Sequence, residues 1–130
     1  MSINYTKKVM NVFRNPKNVG ELKKYDGRGM VGNPSCGDIM EVFIKVGKNK
    51  KNEEIITDIK IKTFGCVAAI ATSDTMATMV KGKTLKEAMK LTNKRVADKL
   101  GGLPPLKMHC SNLSEEALHK AIEDYRKKKK

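Results

Sequence analysis

The sequence predicts an α+β fold, a small and mostly antiparallel sheet of about three strands with helices packed on one face. Two observations carry this. Residues 39–46 and 55–63 alternate apolar and polar side chains with period two, the pattern of half-buried strands. One helical pattern precedes these strands and several follow them, so helices and strands are segregated along the chain rather than alternating. The 130 residues fit one domain spanning 1–130, long enough to bury a core without a disulfide or metal staple.

The elements follow in order. Tyr5, Val9, Val12 and Phe13 recur at near-helical spacing over residues 4–14, and Pro16 in "NPKNVG" stops that helix. Residues 27–38, rich in Gly and Pro, read as an irregular loop around a short strand. Met40, Val42, Ile44 and Val46 share one face of the next strand, with Glu41 and Lys45 on the other. "GKNKKNEE" is a polar hairpin connection. Ile55, Thr57, Ile59, Ile61 and Thr63 then form one face opposite Asp58, Lys60 and Lys62.

Residues 67–80 are apolar or small nearly all round, which predicts a buried helix closed near Gly82. Thr84 and Glu87 fit a capping box for a helix over 85–91, and Asn93 is placed to cap 94–100. Leu113, Ala117, Leu118, Ala121, Ile122 and Tyr125 line one face of the last helix. The lysine run from about residue 127 to residue 130 reads as a disordered basic tail.

Lys and Arg number 27 against 14 acidic residues, giving +13. The lysines are scattered, and aromatics for base stacking and arginines for forked contacts are few. A specific nucleic-acid role is therefore not expected, and a solvated basic surface able to attract an acidic protein is. No apolar run suits a signal peptide or a membrane span, so the expected location is the cytoplasm with reduced thiols.

The cysteines are Cys36, Cys66 and Cys110, an odd set with 29 and 43 residues between neighbours and no CxxC pair. That is neither a secreted disulfide framework nor a zinc ribbon. Each cysteine falls at a boundary: Cys36 before a strand, Cys66 between a strand and a helix, Cys110 ahead of the last helix. Asp38 stands two residues after Cys36, and His109 adjoins Cys110. Taken singly these residues have ordinary explanations, a cysteine as a small hydrophobe, an aspartate in a turn, a histidine at a helix start. Lys107 is one lysine among many. Taken together, three thiols with an oxygen or nitrogen fourth ligand suit zinc or an iron–sulfur cluster.

Several stretches resemble one family in order: "NPKNVG" at 15–20, "GMVGNPSCGDIM" at 29–40, "KTFGC" at 62–66, "VKGKTLKEA" at 80–88, "LPPLKMHCS" at 103–111 and "AIEDY" at 121–125. They resemble the IscU-type iron–sulfur cluster scaffolds, similar to the N-terminal domain of NifU, whose sandwich is SufE-like. The resemblance implies a non-enzymatic assembly scaffold. Cys36, Cys66 and Cys110 would hold a transient [2Fe–2S] cluster, with Asp38 as a labile ligand and His109 as an alternative one. A cysteine desulfurase would deliver persulfide sulfur to Cys110, supported by Lys107, and a ferredoxin-like donor would reduce it. Iron would join it, and the cluster would pass to apo iron–sulfur proteins, with a homo-oligomer compatible with the loaded state.

Leu103, Pro104, Pro105, Leu106 and Lys107 match the segment that an Hsp70-type chaperone reads in the family. The prolines pre-order an extended peptide suited to a groove. Leu106 stands where the family usually has Val, and Val67-Ala68 follow Cys66 where it usually has a small hydroxyl-bearing pair. The alternative is a zinc-binding sulfur acceptor that activates a desulfurase without building a cluster. The long insertion of such relatives is missing here. Zinc is also an expected occupant of the site in purified protein.

Overall fold

The computed structural model describes residues 6–33, 38–63, 67–101 and 108–128. Helix α1 (Lys7–Arg14) leads into strands β1 (Gly27–Asn33), β2 (Asp38–Lys48) and β3 (Glu54–Thr63). Helices α2 (Val67–Val80), α3 (Leu85–Met89), α4 (Asn93–Lys99) and α5 (Met108–Lys128) follow. The sheet order is β1-β2-β3 and both pairings are antiparallel. The predicted class and strand number hold.

Met40, Val42 and Ile44 of β2 are fully buried, in one cluster with Ile59 and Ile61 of β3, Met76 of α2, and Leu118 and Ile122 of α5. All the helices that touch the sheet therefore share one core, on one face. The outer face has its own cover. Phe43 packs against Tyr25 with ring centroids 5.3 Å apart, and Arg28 pairs with Glu41.

The expected inward face of β3 is right only from Ile59 onward. A bulge at Lys45/Val46 pairs Lys45 with Asp58 and Val46 with Ile56, leaving Thr57 without a register partner. One extra residue reverses the alternation before it. Ile56 is fully buried, Ile55 is only half-buried and Thr57 points outward.

Helix α1 starts at Lys7, not at residue 4, α3 ends at Met89, and three further boundaries differ. The cap of α4 is Thr92, whose hydroxyl accepts from the Arg95 amide at 3.3 Å, so Asn93 is the helix's first residue. Either side chain can cap, and the extended backbone at Thr92 decides. Helix α5 begins at Met108, a turn before Leu113. It also continues through Lys127 and Lys128, which the lysine run predicts to be tail. Cations at a helix C-terminus complement its dipole, and Lys128 lies 3.1 Å from Asp124 one turn earlier. The capping box of α3 forms as expected.

The sheet's edges are covered. Gly20 donates to Ile61 O and Ile61 N donates to Asn18 O, both at 2.8 Å, so "NPKNVG" lies along β3. Farther along, Ile56 N donates to Lys83 O at 3.0 Å. On β1, Arg28 N donates to Asp124 Oδ2 at 2.9 Å. Such pairing removes a template for strand addition.

Helix α5 lies close across β1 because residues 27 and 29 have no side chain. A Cβ at Gly27 would sit 2.2 Å from Ala121 O, and one at Gly29 would sit 2.3 Å from Ala117 O. The obstacle is helix backbone, which cannot swing aside. Gly29→Ala is expected to lower the urea midpoint by the equivalent of ~3 kcal/mol, the upper part of the overpacking range. An unchanged midpoint would show that α5 can lift from the sheet freely.

Tyr125 donates its hydroxyl to Glu54, and that hydrogen bond, with partial burial and the nearby negative charge, pushes its pKa up to about 12. The unfolded phenol titrates near 10. Between those values the folded state holds a proton that the unfolded state has lost, so this contribution falls as pH rises. Thermal unfolding followed from pH 9 upward should show a steeper loss of stability in the wild type than in Tyr125→Phe. Parallel curves would contradict the coupling.

Candidate functional site

The register of the sheet brings the candidate residues' neighbours to one end. Asn33 pairs with Asp38, so the segment containing Cys36 links two paired residues at the β1–β2 turn. Met40 pairs with Thr63, and the Thr63 hydroxyl donates to Ile39 O at 2.7 Å. The link containing Cys66, between Thr63 and Val67, therefore leaves β3 at that same end.

Helix α5 runs toward that end too. Ala121 lies over Gly27 and Ala117 over Gly29. Four helix residues advance about 6 Å and two strand residues about 6.6 Å, so the helix and strand run antiparallel nearly in step. Toward its start, α5 therefore runs along β1 in the direction of Asn33, where β1 ends. Cys110 is in the first turn of α5, not ahead of the helix as its spacing predicts. Local sequence hides this, because a helix start after two prolines depends on what the following turn packs against.

Cys36, Cys66 and Leu103, Pro104, Pro105, Leu106 and Lys107 lie outside the described residues. For Asp38, His109 and Cys110 the backbone is described and the side chains are not. Asp38 opens β2, and His109 and Cys110 belong to the first turn of α5.

Two helices start at this end. The link containing Cys66 leads directly into the 14-residue α2, and α5 has 21 residues. Neither has an acidic residue in its first turn. The partial positive charge of both N-termini is left uncompensated by their own side chains, which favours thiolates and anionic species there.

Buried polar contacts hold these helices. Ser114, fully buried one turn beyond Cys110, lies 3.2 Å from the Thr72 hydroxyl, which itself donates to Ala69 O. This contact fixes α5 against α2 close to both starts. Asp74 accepts from Lys17 N at 3.0 Å and Asn18 N at 2.7 Å, while Asn18 Nδ2 donates to Asp74 O and to the Thr78 hydroxyl. Local pattern does not single out Asp74 or Ser114 as structural anchors. The one signal is Asp74 itself, a carboxylate inside an otherwise uncharged helix, and charges buried that way are paired.

A concavity of about 700 Å³ opens between α1, α2 and α4 around Val12, Asp74, Met79 and Leu100. It flanks the C-terminal half of α2, away from the cysteine end. Cluster or metal binding needs converging ligands rather than volume, so the end of the sheet is the better candidate.

The geometry defines a small α+β domain with three chain boundaries and two helix N-termini gathered at one end of an antiparallel sheet. Residues 4–130 match the family described as the NifU-like N terminal domain, and the chain belongs to it. It is 55% identical over 124 residues to "Iron-sulfur cluster assembly scaffold protein IscU 1" of Archaeoglobus fulgidus, covering 95% of this chain and 78% of that protein. It is 48% identical over 128 residues to the IscU scaffold protein of Rickettsia prowazekii, covering 96% and 94%. The fold is similar to the putative iron–sulfur cluster assembly scaffold for the SUF system of Fervidobacterium islandicum, with a TM-score of 0.69 and 22% identity over 91% of this chain and 96% of that one. The NifU-like N-terminal protein of Brucella abortus is similar at a TM-score of 0.68 and 20% identity, over 95% and 94%.

Replacing Asp74 leaves the Lys17 and Asn18 amides without their acceptor. Asp74→Ala is expected to cost about 3 kcal/mol, as buried donors lose their partner. Amide exchange at those two residues should accelerate more than at the centre of β2. Equal acceleration at both places would mean that Asp74 supports only global stability.

Proposed function

We propose that the chain is a scaffold for iron–sulfur cluster assembly, and that the cluster is its cargo rather than a resident cofactor. The observation that supports this is that Asn33 and Asp38, which flank Cys36, and Thr63, which precedes Cys66, lie at one end of the sheet, with α5 running along β1 toward that end. Membership of the family, and scaffold relatives at about half identity across nearly the whole chain, support it.

Cys36, Cys66 and Cys110 supply three soft thiolates. Asp38, opening β2, supplies a hard oxygen ligand that exchanges more readily than a fourth thiolate, and His109 is the alternative nitrogen ligand. The uncompensated N-termini of α2 and α5 favour thiolates and stabilise an anionic cluster. The cluster is of the [2Fe–2S] kind.

Sulfur arrives from a cysteine desulfurase. The Cys110 thiolate attacks the outer sulfur of the donor's persulfide. A new S–S bond forms at Cys110, the donor's S–S bond breaks, and the donor cysteine leaves as a thiolate. Lys107, three residues away in sequence, supports the thiolate form of Cys110. Two electrons from a ferredoxin-like donor then cleave the new S–S bond, releasing sulfide and restoring the Cys110 thiolate. The sulfide joins iron at the three thiolates. The segment Leu103, Pro104, Pro105, Leu106 and Lys107 is where an Hsp70-type chaperone engages to promote release to apo-proteins. No helix among the described residues is long and apolar enough to cross a membrane, and the reduced thiols this chemistry needs fit the cytoplasm.

Anaerobic reconstitution with iron, cysteine and a desulfurase tests the reading. Mössbauer spectra should show a [2Fe–2S] centre with equal iron and sulfide, lost when any of the three cysteines becomes serine. Uptake of sulfur with tightly held zinc, and no iron with sulfide, would instead identify a zinc-binding sulfur acceptor. Asp38→Ala should extend the half-life of the reconstituted cluster severalfold, followed by its visible absorption. A shorter half-life would remove Asp38 from the labile-ligand role.

A further inference from the structure

The far end of α2 carries a different surface. Residues 81 to 99 hold seven cations (Lys81, Lys83, Lys86, Lys90, Lys94, Arg95 and Lys99) against two acids, Glu87 and Asp98. Every one of these cations is exposed. They share this stretch with a cavity of about 280 Å³ formed where α2, α3 and α4 meet. Met79, Val80 and Leu91 contribute apolar walls to it, and Lys83, Lys90 and Arg95 contribute its charge. The one acid in the wall, Glu87, is committed to the cap of α3, bonding the Thr84 amide and hydroxyl at 3.4 and 3.1 Å. The cavity has apolar walls beside three cations and one carboxylate, so its lining stays net positive.

We infer that this cavity docks an acidic segment of a partner protein, with one aliphatic side chain seated against Met79, Val80 and Leu91 and flanking carboxylates on Lys83, Lys90 and Arg95. Charge complementarity selects an acidic partner. The apolar walls select a protein segment over a nucleic acid, whose phosphates would leave them unfilled. No aromatic lines the cavity to stack a base, and it has a single arginine. Helix α2, with 14 residues, separates this surface from the cysteine end by about 20 Å. A partner held here leaves the other end open, so docking and cluster chemistry can proceed together.

Fluorescence anisotropy with the full chain tests this. The probes are a labelled peptide of glutamates interrupted by leucines, the same peptide with serine for leucine, and an oligothymidylate of matching charge. The Leu-containing peptide should bind the wild type most tightly. The triple variant Lys83→Glu/Lys90→Glu/Arg95→Glu should weaken it by about tenfold or more. The charge-matched variant Lys48→Glu/Lys50→Glu/Lys51→Glu, in the β2–β3 hairpin, should weaken it only slightly. Circular dichroism of both variants checks folding. Equal losses in the two variants would reduce the effect to overall charge and overturn the site. So would equal binding of the serine peptide, tighter binding of the oligothymidylate, or no binding of the leucine peptide at all.

Discussion

The close approach of α5 to β1 governs the architecture. It rests on two residues, Gly27 and Gly29, whose missing side chains let the backbone of Ala117 and Ala121 come down onto the strand. This contact sets more than stability. Because four helix residues match two strand residues in length, fixing α5 at its middle also fixes where it starts. Packing at Ala117 and Ala121 thereby sets how far the first turn of α5, which holds His109 and Cys110, extends along β1. A shift of one strand pair would carry it about 6.6 Å, farther than any metal–ligand bond tolerates.

Polar contacts inside an apolar core then lock the neighbours of that end. The Ser114–Thr72 contact sets α5 against α2. Asp74 and Asn18 hold "NPKNVG" against α2 while the same motif pairs with the edge of β3. Apolar packing alone is tolerant of sliding, whereas a buried hydrogen bond has one good geometry. A site built from three separate boundaries needs that kind of register. At the other end of α5, burial raises the Asp124 carboxyl, but the Arg28 amide and the Lys127 and Lys128 charges outweigh it and hold it below its usual range. That carboxylate ties the helix to the strand edge.

Charge is divided along the molecule. The cysteine end receives two helix N-termini without acidic residues in their first turns, a field suited to thiolates. The opposite end of α2 carries exposed lysines around an apolar cavity. A net charge of +13 alone does not say where its effects are felt. The helices do, by separating the field of backbone dipoles from that of mobile side chains.

The sequence by itself determined the class, strands β2 and β3, the buried α2 and the Thr84–Glu87 cap, because each is written in local spacing, while its motifs in order carried the family resemblance. Period-two alternation marks β2, and a uniformly apolar or small stretch marks α2. Tertiary structure decided what spacing cannot record. The bulge at Lys45/Val46 exchanged Ile55 for Ile56 in the core, since a bulge is a relation between two strands. The starting turn of α5 depended on glycines some eighty residues earlier. The roles of Asp74 and Ser114 depended on partners on other elements. Local pattern fixes which face of an element is apolar. Only packing fixes where that element begins and what its polar groups meet, because those depend on contacts between residues far apart in the chain.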